Sequence, residues 1–288
     1  MLQERAELMI AVPSKGRLME HSIDLLKKTG LKFSVSGRQL FSRCKETGTM
    51  IIFVNAQDIP ALVSTGVVDL GITGSDIIYE KGFPLREYRK LGFGHCRLSF
   101  ASHKDSNIRS ACDFTGRTLG TKFISSAKQY LQSRGINDVR IIEINGAVEV
   151  MVLLGLVDGI LDIVESGSSL REHDLVERET ILSAEAVLVG NDSPRNTSLC
   201  ETLLRRVESV LLASHWILLE YNCPSECVAQ AKEITPGYSS PTIQKTDSAA
   251  WVAIKVMVEK AGVQACMDKL ESIGCRAIIA TELVHCRL

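Results

Sequence analysis

The run Gly159-Ile-Leu-Asp-Ile-Val-Glu-Ser-Gly-Ser-Ser-Leu170 reads as a strand, a loop and a helix start in immediate succession. Gly159–Val164 is apolar enough to lie inside a sheet. It carries Asp162 toward its end, and small hydroxyl residues and a glycine follow before Leu170 opens an apolar helical face. A phosphate monoester needs backbone N–H donors that close around its oxygens, which Gly167 permits by lacking a Cβ, and it gains from the positive end of a helix dipole. The hydroxyls of Ser166, Ser168 and Ser169 add donors, and carboxylates at Asp158 and Asp162 can accept from vicinal ribose hydroxyls. The run therefore suits a ribose 5-phosphate. Taken alone, the run slightly favours the plainer reading of a helix N-cap after a strand.

Outward from this run, strand-like and helix-like segments alternate. This predicts an α/β architecture with largely parallel sheets. Strands are expected at 8–12, 67–72, 96–101, 118–122, 139–144, 159–164 and 186–189. Helices are expected after Leu18 up to Gly30, from Asp58 to Gly66, from Ser75 to Lys81 and from Ser125 to Arg134, with a long one over 198–214. From 216 onward the order becomes βαββαβ, with strands at 216–220, 241–244, 251–258 and 277–280 and helices at 225–232 and 263–273. That order predicts a small ferredoxin-like domain with helices on one face of an antiparallel sheet.

Composition sets outer bounds. The 288 residues suffice for two or three domains, and 33 basic against 34 acidic residues leave a net charge of -1. Nothing in that balance suggests nucleic acid or an anionic membrane as a partner. Every longer apolar stretch is broken by Asp, Glu or Gly, and the charged start Met1–Glu7 is unlike a signal peptide, so a cytoplasmic protein is expected. The nine cysteines are scattered without a CxxC pair, which predicts free thiols rather than a metal site or a disulfide framework.

Four further segments accompany the opening run: Ile10-Ala-Val-Pro-Ser-Lys-Gly-Arg-Leu18, Val67-Val-Asp-Leu-Gly-Ile-Thr-Gly-Ser-Asp76, Leu91-Gly-Phe-Gly-His-Cys-Arg-Leu-Ser-Phe100 and Glu143-Ile-Asn-Gly-Ala-Val-Glu149. Together with the tail Ile234-Thr-Pro-Gly-Tyr-Ser-Ser-Pro-Thr-Ile243 and Trp251-Val-Ala-Ile254, they make the chain resemble the ATP phosphoribosyltransferases in their long form, which carries its own regulatory domain. The resemblance implies two periplasmic-binding-protein-like lobes, 1–95 with 190–214 and 96–189, and a regulatory domain over 215–288. It implies transfer of phosphoribosyl from 5-phosphoribosyl diphosphate to N1 of ATP in the first step of histidine biosynthesis. Mg²⁺ would serve as cofactor, histidine as feedback inhibitor, and the assembly would be a homo-oligomer, hexameric when inhibited.

Residue by residue, the same resemblance assigns Asp158, Asp162, Ser166, Gly167, Ser168, Ser169 and Leu170 to phosphoribosyl diphosphate. Lys15, Gly16, Arg17, Asp69, Gly71, Gly74 and Arg97 are the candidates for ATP and Lys15, Arg17, Glu149 and Asp162 for catalysis, while either Glu143 or Glu149 could hold a ribose hydroxyl or a hydrated Mg²⁺. Histidine would bind at Asn222, Tyr238, Thr242, Met257 and Ala277; an acid at position 222 would pair better with its amino group, and Glu220 stands near. Each residue also has a plainer reading: a solvated basic turn for Lys15-Gly16-Arg17, turn glycines at Gly71 and Gly74, a carboxylate partner for Arg97 and a favourable first-turn acid for Glu149. Lys122, at a strand end just before Ser125-Ser126, is a candidate for phosphate, with a surface lysine as the favoured reading. A bilobal amino-acid or nucleotide sensor and a phosphoribosyltransferase acting on a free base are the competing functions. The acids followed by Ser-Gly-Ser-Ser speak against the sensor, and the separate cationic turn favours a nucleotide over a bare base.

Overall fold

The computed structural model describes residues 7–35 and 39–288. The chain divides into two compact units, Met1–Asp24 with Leu31–Cys200, and Leu25–Gly30 with Glu201–Leu288.

The first unit holds two sheets. β1 (Met9–Pro13), α1 (Arg17–Lys28), β2 (Phe41–Arg43), β3 (Met50–Val54), α2 (Ile59–Ser64), β4 (Leu70–Gly74), α3 (Ser75–Lys81) and β5 (Arg86–Lys90) begin the first lobe. The chain then crosses to the second lobe, with β6 (Cys96–His103), β7 (Thr118–Thr121), α4 (Ile124–Ser133), β8 (Arg140–Glu143), α5 (Val148–Leu153), β9 (Gly159–Val164), α6 (Ser168–Glu172) and β10 (Leu175–Ala184). It returns with β11 (Ala186–Gly190), which lies between β4 and β5 in the sheet ordered β2-β3-β1-β4-β11-β5. The second sheet runs β10-β6-β9-β7-β8. This is the expected bilobal architecture, with one boundary moved: 186–189 pair with the first lobe's sheet instead of closing the second lobe.

Apolar residues on both faces bury β1 and β4 completely, as the centre of a sheet covered on two sides requires. The sheets are mixed rather than largely parallel. β1 is parallel to β3 and β4, and β7 to β8 and β9, whereas β11, β6 and β10 run antiparallel to their neighbours. Of the strands outside the expected set, β5 is the charged edge Arg-Glu-Tyr-Arg-Lys, and β10 loses its alternation at two register shifts. The segment 67–69 precedes β4 instead of beginning it.

The two crossings lie side by side: Leu91 N–H donates to Ala186 O at 2.9 Å, and Ala186 N–H to Phe93 O at 2.9 Å. The second crossing is Glu185, between β10 and β11. Its carbonyl accepts from Ser75 N–H at 2.9 Å, and its N–H donates to Ser75 Oγ at 3.2 Å. The first residue of α3 is thereby fastened to the hinge.

The second unit contains the last turn of α1, most of α7 (Thr197–His215), and β12 (Trp216–Pro224), α8 (Val228–Ile234), β13 (Thr242–Lys245), β14 (Trp251–Glu259), α9 (Val263–Ser272) and β15 (Arg276–Glu282). The all-antiparallel order β13-β14-β12-β15 is that of a ferredoxin-like βαββαβ domain. Ile217, Leu219, Tyr221, Ile254, Val256 and Val258 pack with Ala231 of α8 and with Val263 and Leu270 of α9 in one core. The unit reaches further back than 215. Arg206 of α7 donates to Thr29 O at 3.3 Å, and Cys286 N–H donates to Ser209 O at 2.9 Å. None of the nine cysteines is in a disulfide, and no helix among the described residues is long and apolar enough to cross a membrane.

Candidate functional site

β9 is fixed to its neighbour by Thr121, whose buried hydroxyl donates to Leu161 O at 2.6 Å. At the carboxyl end of β9 the backbone turns through Gly167, φ +71°, into α6. That left-handed conformation is the one a glycine adopts without cost. Ser166 Oγ lies 3.0 Å from Ser168 Oγ, and Arg171 folds back to donate to Ser166 O at 3.0 Å, which holds the loop closed. Ser169 Oγ donates a short hydrogen bond to Glu149 at the start of α5. Glu149, Asp162, Ser166, Gly167, Ser168 and Ser169 line a cavity of about 220 Å³. The sequence run and Glu149 thus meet in one place.

Asp162 is the site's electrostatic centre. Lys122, one residue beyond β7, brings Nζ to 3.3 Å from its Oδ1, a charge contact without hydrogen-bond geometry. This buried oxygen therefore keeps an open acceptor beside a cation. Lys122 is no free surface lysine, contrary to its plainer reading. It stands at the carboxyl end of a parallel strand, the same edge as the 166–169 loop, the strand-end position that made it a phosphate candidate in the sequence.

Asp158 does not join this site. It precedes β9 and accepts from Thr118 N–H at 2.8 Å, and the strand rise separates it from Asp162 by about 13 Å. Glu143, exposed beyond the cavity lining, accepts from Asn145 Nδ2 at 3.4 Å.

In the first lobe, Lys15 and Gly16 follow β1 at its carboxyl end, both exposed, and Gly16 has φ +77°. Arg17 opens α1, and its side chain lies outside the described residues. Register pairs β1 with β4, so Gly74 stands at the same edge. The other expected ATP residues are used elsewhere. Asp69 is buried before β4, accepts from Met9 N–H at 2.7 Å and Arg195 N–H at 2.9 Å, and is paired with the Arg195 guanidinium at 2.8 Å. At Gly71 a Cβ would run into Ile59 and Val63 of α2, so this glycine serves helix-on-sheet packing. Arg97 makes a two-pronged pair with Glu177 at 2.9 and 2.8 Å across β6 and β10. With the Ser99 and Thr180 hydroxyls assisting against partial burial, Arg97 holds the Glu177 carboxyl down at about 2.

In the second unit a cavity of about 380 Å³ is lined by Glu220, Asn222, Thr242, Lys255 and Ala277 among others. Glu220 pairs with Lys255 at 3.0 Å, so an acid does stand beside Asn222. Ala277 adopts φ +50°, a strained conformation for a residue with a Cβ, next to a register shift between Glu220 and Asn222. Tyr238 instead packs edge-on against Trp216 at 5.7 Å, and Met257, opposite Leu218, lies further along β14 than the cavity-lining Ala253 and Lys255.

Comparison with known proteins agrees with this architecture. The family described as ATP phosphoribosyltransferase matches residues 55–209, and the one described as HisG, C-terminal domain, matches 213–285. The chain is 37% identical over 281 residues to an ATP phosphoribosyltransferase of Rhodopirellula baltica, covering 98% of this chain and 94% of that protein. It is 34% identical over 283 residues to that of Salinibacter ruber, covering 98% and 100%. Among solved structures it is similar to a chain of the ATP phosphoribosyl transferase (HisG:HisZ) complex from Thermotoga maritima, with TM-score 0.60 and 30% identity over 70% of this chain and 98% of that one. With two family matches in tandem and relatives matched from end to end, this chain belongs to the ATP phosphoribosyltransferase family, in the long form that carries a C-terminal domain.

Proposed function

We propose that the chain carries out the first step of histidine biosynthesis: adenine N1 of ATP attacks the anomeric carbon of 5-phosphoribosyl diphosphate, the C–O bond to the diphosphate breaks, and pyrophosphate leaves. The observation that carries this reading is the cavity at the end of β9, where backbone and hydroxyl donors at 166–169 stand beside a carboxylate with an open acceptor. The 5-phosphate sits against Ser166–Ser169, and Asp162 accepts from a ribose hydroxyl. Lys122 supplies positive charge near the diphosphate, and Lys15 and Arg17 meet the polyphosphate from the first lobe. The transition state has oxocarbenium character, so positioning and charge complementarity do the catalysis and no covalent nucleophile is required.

Mg²⁺ fits the donor set in a limited way. Among the described residues no group of three or more His, Cys, Asp or Glu could hold a metal, whereas Asp162 Oδ1 has a vacant acceptor and Glu149 lines the same cavity. One or two carboxylates plus substrate phosphates are the usual Mg²⁺ environment. When bound, the ion neutralises charge on the departing diphosphate.

In this reading histidine inhibits from the cavity at Asn222, Thr242 and Ala277, the protein works in the cytoplasm, and it assembles as a hexamer. The direct test is ultraviolet absorbance and mass spectrometry of the products formed from ATP, phosphoribosyl diphosphate and Mg²⁺. Phosphoribosyl-ATP with equimolar pyrophosphate is expected, and its absence from a folded sample would overturn the assignment.

A further inference from the structure

Helix α4 begins three residues after the carboxyl end of β7, and its first amide donors are taken by a carboxylate from the other lobe. Glu80, in the last turn of α3, accepts from Ser125 N–H at 2.9 Å, from Ser126 N–H at 2.8 Å and from Ser126 Oγ at 2.7 Å. Ser126 is fully buried and its two bonds to Glu80 are partly buried, whereas the Ser125 bond is exposed; all three are charge-assisted, which makes them stronger than neutral hydrogen bonds. Glu80 also answers the partial positive charge of the helix terminus.

Both ends of α3 are therefore anchored. Ser75 is bonded in both directions to Glu185, the single residue of the second crossing, and Glu80 grips the second lobe about 8 Å further along the helix, five residues at the α-helical rise. A rotation of the lobes about Glu185 has to break or remake the Glu80 bonds. The gripped residues, moreover, come three and four positions after Lys122, whose ammonium stands 3.3 Å from Asp162 Oδ1.

We infer that Glu80 is a positioning residue: it sets the angle between the lobes and, through the start of α4, the placement of Lys122 against Asp162. It is not among the residues that line the cavity at the end of β9. Its kinetic consequence rests on the phosphoribosyl-diphosphate reading of the cavity, but its mechanical consequence does not.

The test compares full-length wild type, Glu80→Gln, Glu80→Asp and Ser126→Ala. Glu80→Gln keeps the shape but turns an amide donor toward the α4 amides. It should raise KM for phosphoribosyl diphosphate about tenfold, the worth of one charge-assisted hydrogen bond, with kcat reduced less. Ser126→Ala should shift KM in the same direction by a smaller factor, and Glu80→Asp, with the charge kept on a shorter arm, should fall between wild type and Glu80→Gln. In parallel, amide hydrogen exchange should quicken about tenfold at 124–127 and at the crossing residues 184–186 in Glu80→Gln, while the β12–β15 sheet stays as protected as in wild type. Unchanged exchange at 184–186 in folded Glu80→Gln would overturn the hinge role. Unchanged KM in both Glu80→Gln and Ser126→Ala would overturn the positioning role. If wild type forms no phosphoribosyl-ATP, the functional reading fails alone, because the exchange measurement still judges Glu80.

Discussion

Replacing Gly167 by alanine tests the phosphate loop with a single methyl group. Gly167 holds φ +71°, which costs a residue with a Cβ about 1–2 kcal/mol. Crowding adds little, since the new Cβ would stand 3.2 Å from Arg171 Nη1, the movable end of a long side chain. The strain has two outlets. If the loop keeps its shape, stability falls by about 1 kcal/mol, a fraction of a typical total of about 5–15 kcal/mol, and the protein stays folded. If the loop relaxes, the amides entering α6 turn away from the phosphate, and losing one charge-assisted hydrogen bond worth about 1.5–3 kcal/mol weakens binding at least about tenfold. Calorimetric titration with phosphoribosyl diphosphate and Mg²⁺, beside thermal unfolding, separates the two. We expect a Tm drop of a few degrees and a Kd raised about tenfold or more by this bond loss. Gly167→Asn, which tolerates the left-handed region, should recover much of the affinity. A folded Gly167→Ala that binds as tightly as wild type would refute the placement of the phosphate at this loop.

Other outcomes follow from the same geometry. Full chelation of Mg²⁺ should abolish phosphoribosyl-ATP formation, and turnover that persisted in chelator would remove the metal from the reaction. The Arg97–Glu177 pair lowers a carboxyl from 4.5 to about 2, so its stabilisation is complete above pH 4.5 and disappears as pH falls through that interval toward 2. The shift corresponds to about 3 kcal/mol, reduced to about 1–2 kcal/mol because Arg97 is partly solvated. Glu177→Gln should cost that amount at neutral pH and flatten the acid limb of stability followed by denaturant titration; a wild-type acid limb would contradict the assignment. Thr242→Ala should weaken histidine inhibition about fivefold, the worth of one neutral hydrogen bond, and leave turnover without histidine unchanged. Tyr238→Ala, which removes the contact with Trp216, should alter inhibition less, and the reverse order measured in steady-state kinetics would put Tyr238 in the effector site.

Local chemistry was legible wherever it is written in consecutive residues. The strand, glycine turn and helix start at 159–170 occur where the sequence puts them, because the apolar run and the φ-permissive glycine act within one stretch of chain. The βαββαβ order after 215 was legible in its element order, with boundaries loose by several residues. Strand partnership was not legible. β11 joins the first sheet antiparallel, and β5 and β10 pair despite charge and bulges, because pairing is decided by which edges remain open once the other strands have packed. The same limit governs side-chain roles. Asp69, Gly71 and Arg97 carry residue types suited to a nucleotide, yet Arg195, Ile59 and Glu177, distant in sequence, claim them for structure. Conversely, Lys122 and Glu80 look like ordinary surface charges until folding brings Asp162 to one and the start of α4 to the other. Sequence alone determined most of the elements and the strand–loop–helix run at 159–170; the tertiary structure decided which charges meet, because a charge takes its role from whichever counter-charge or donor the fold places within a few ångströms of it.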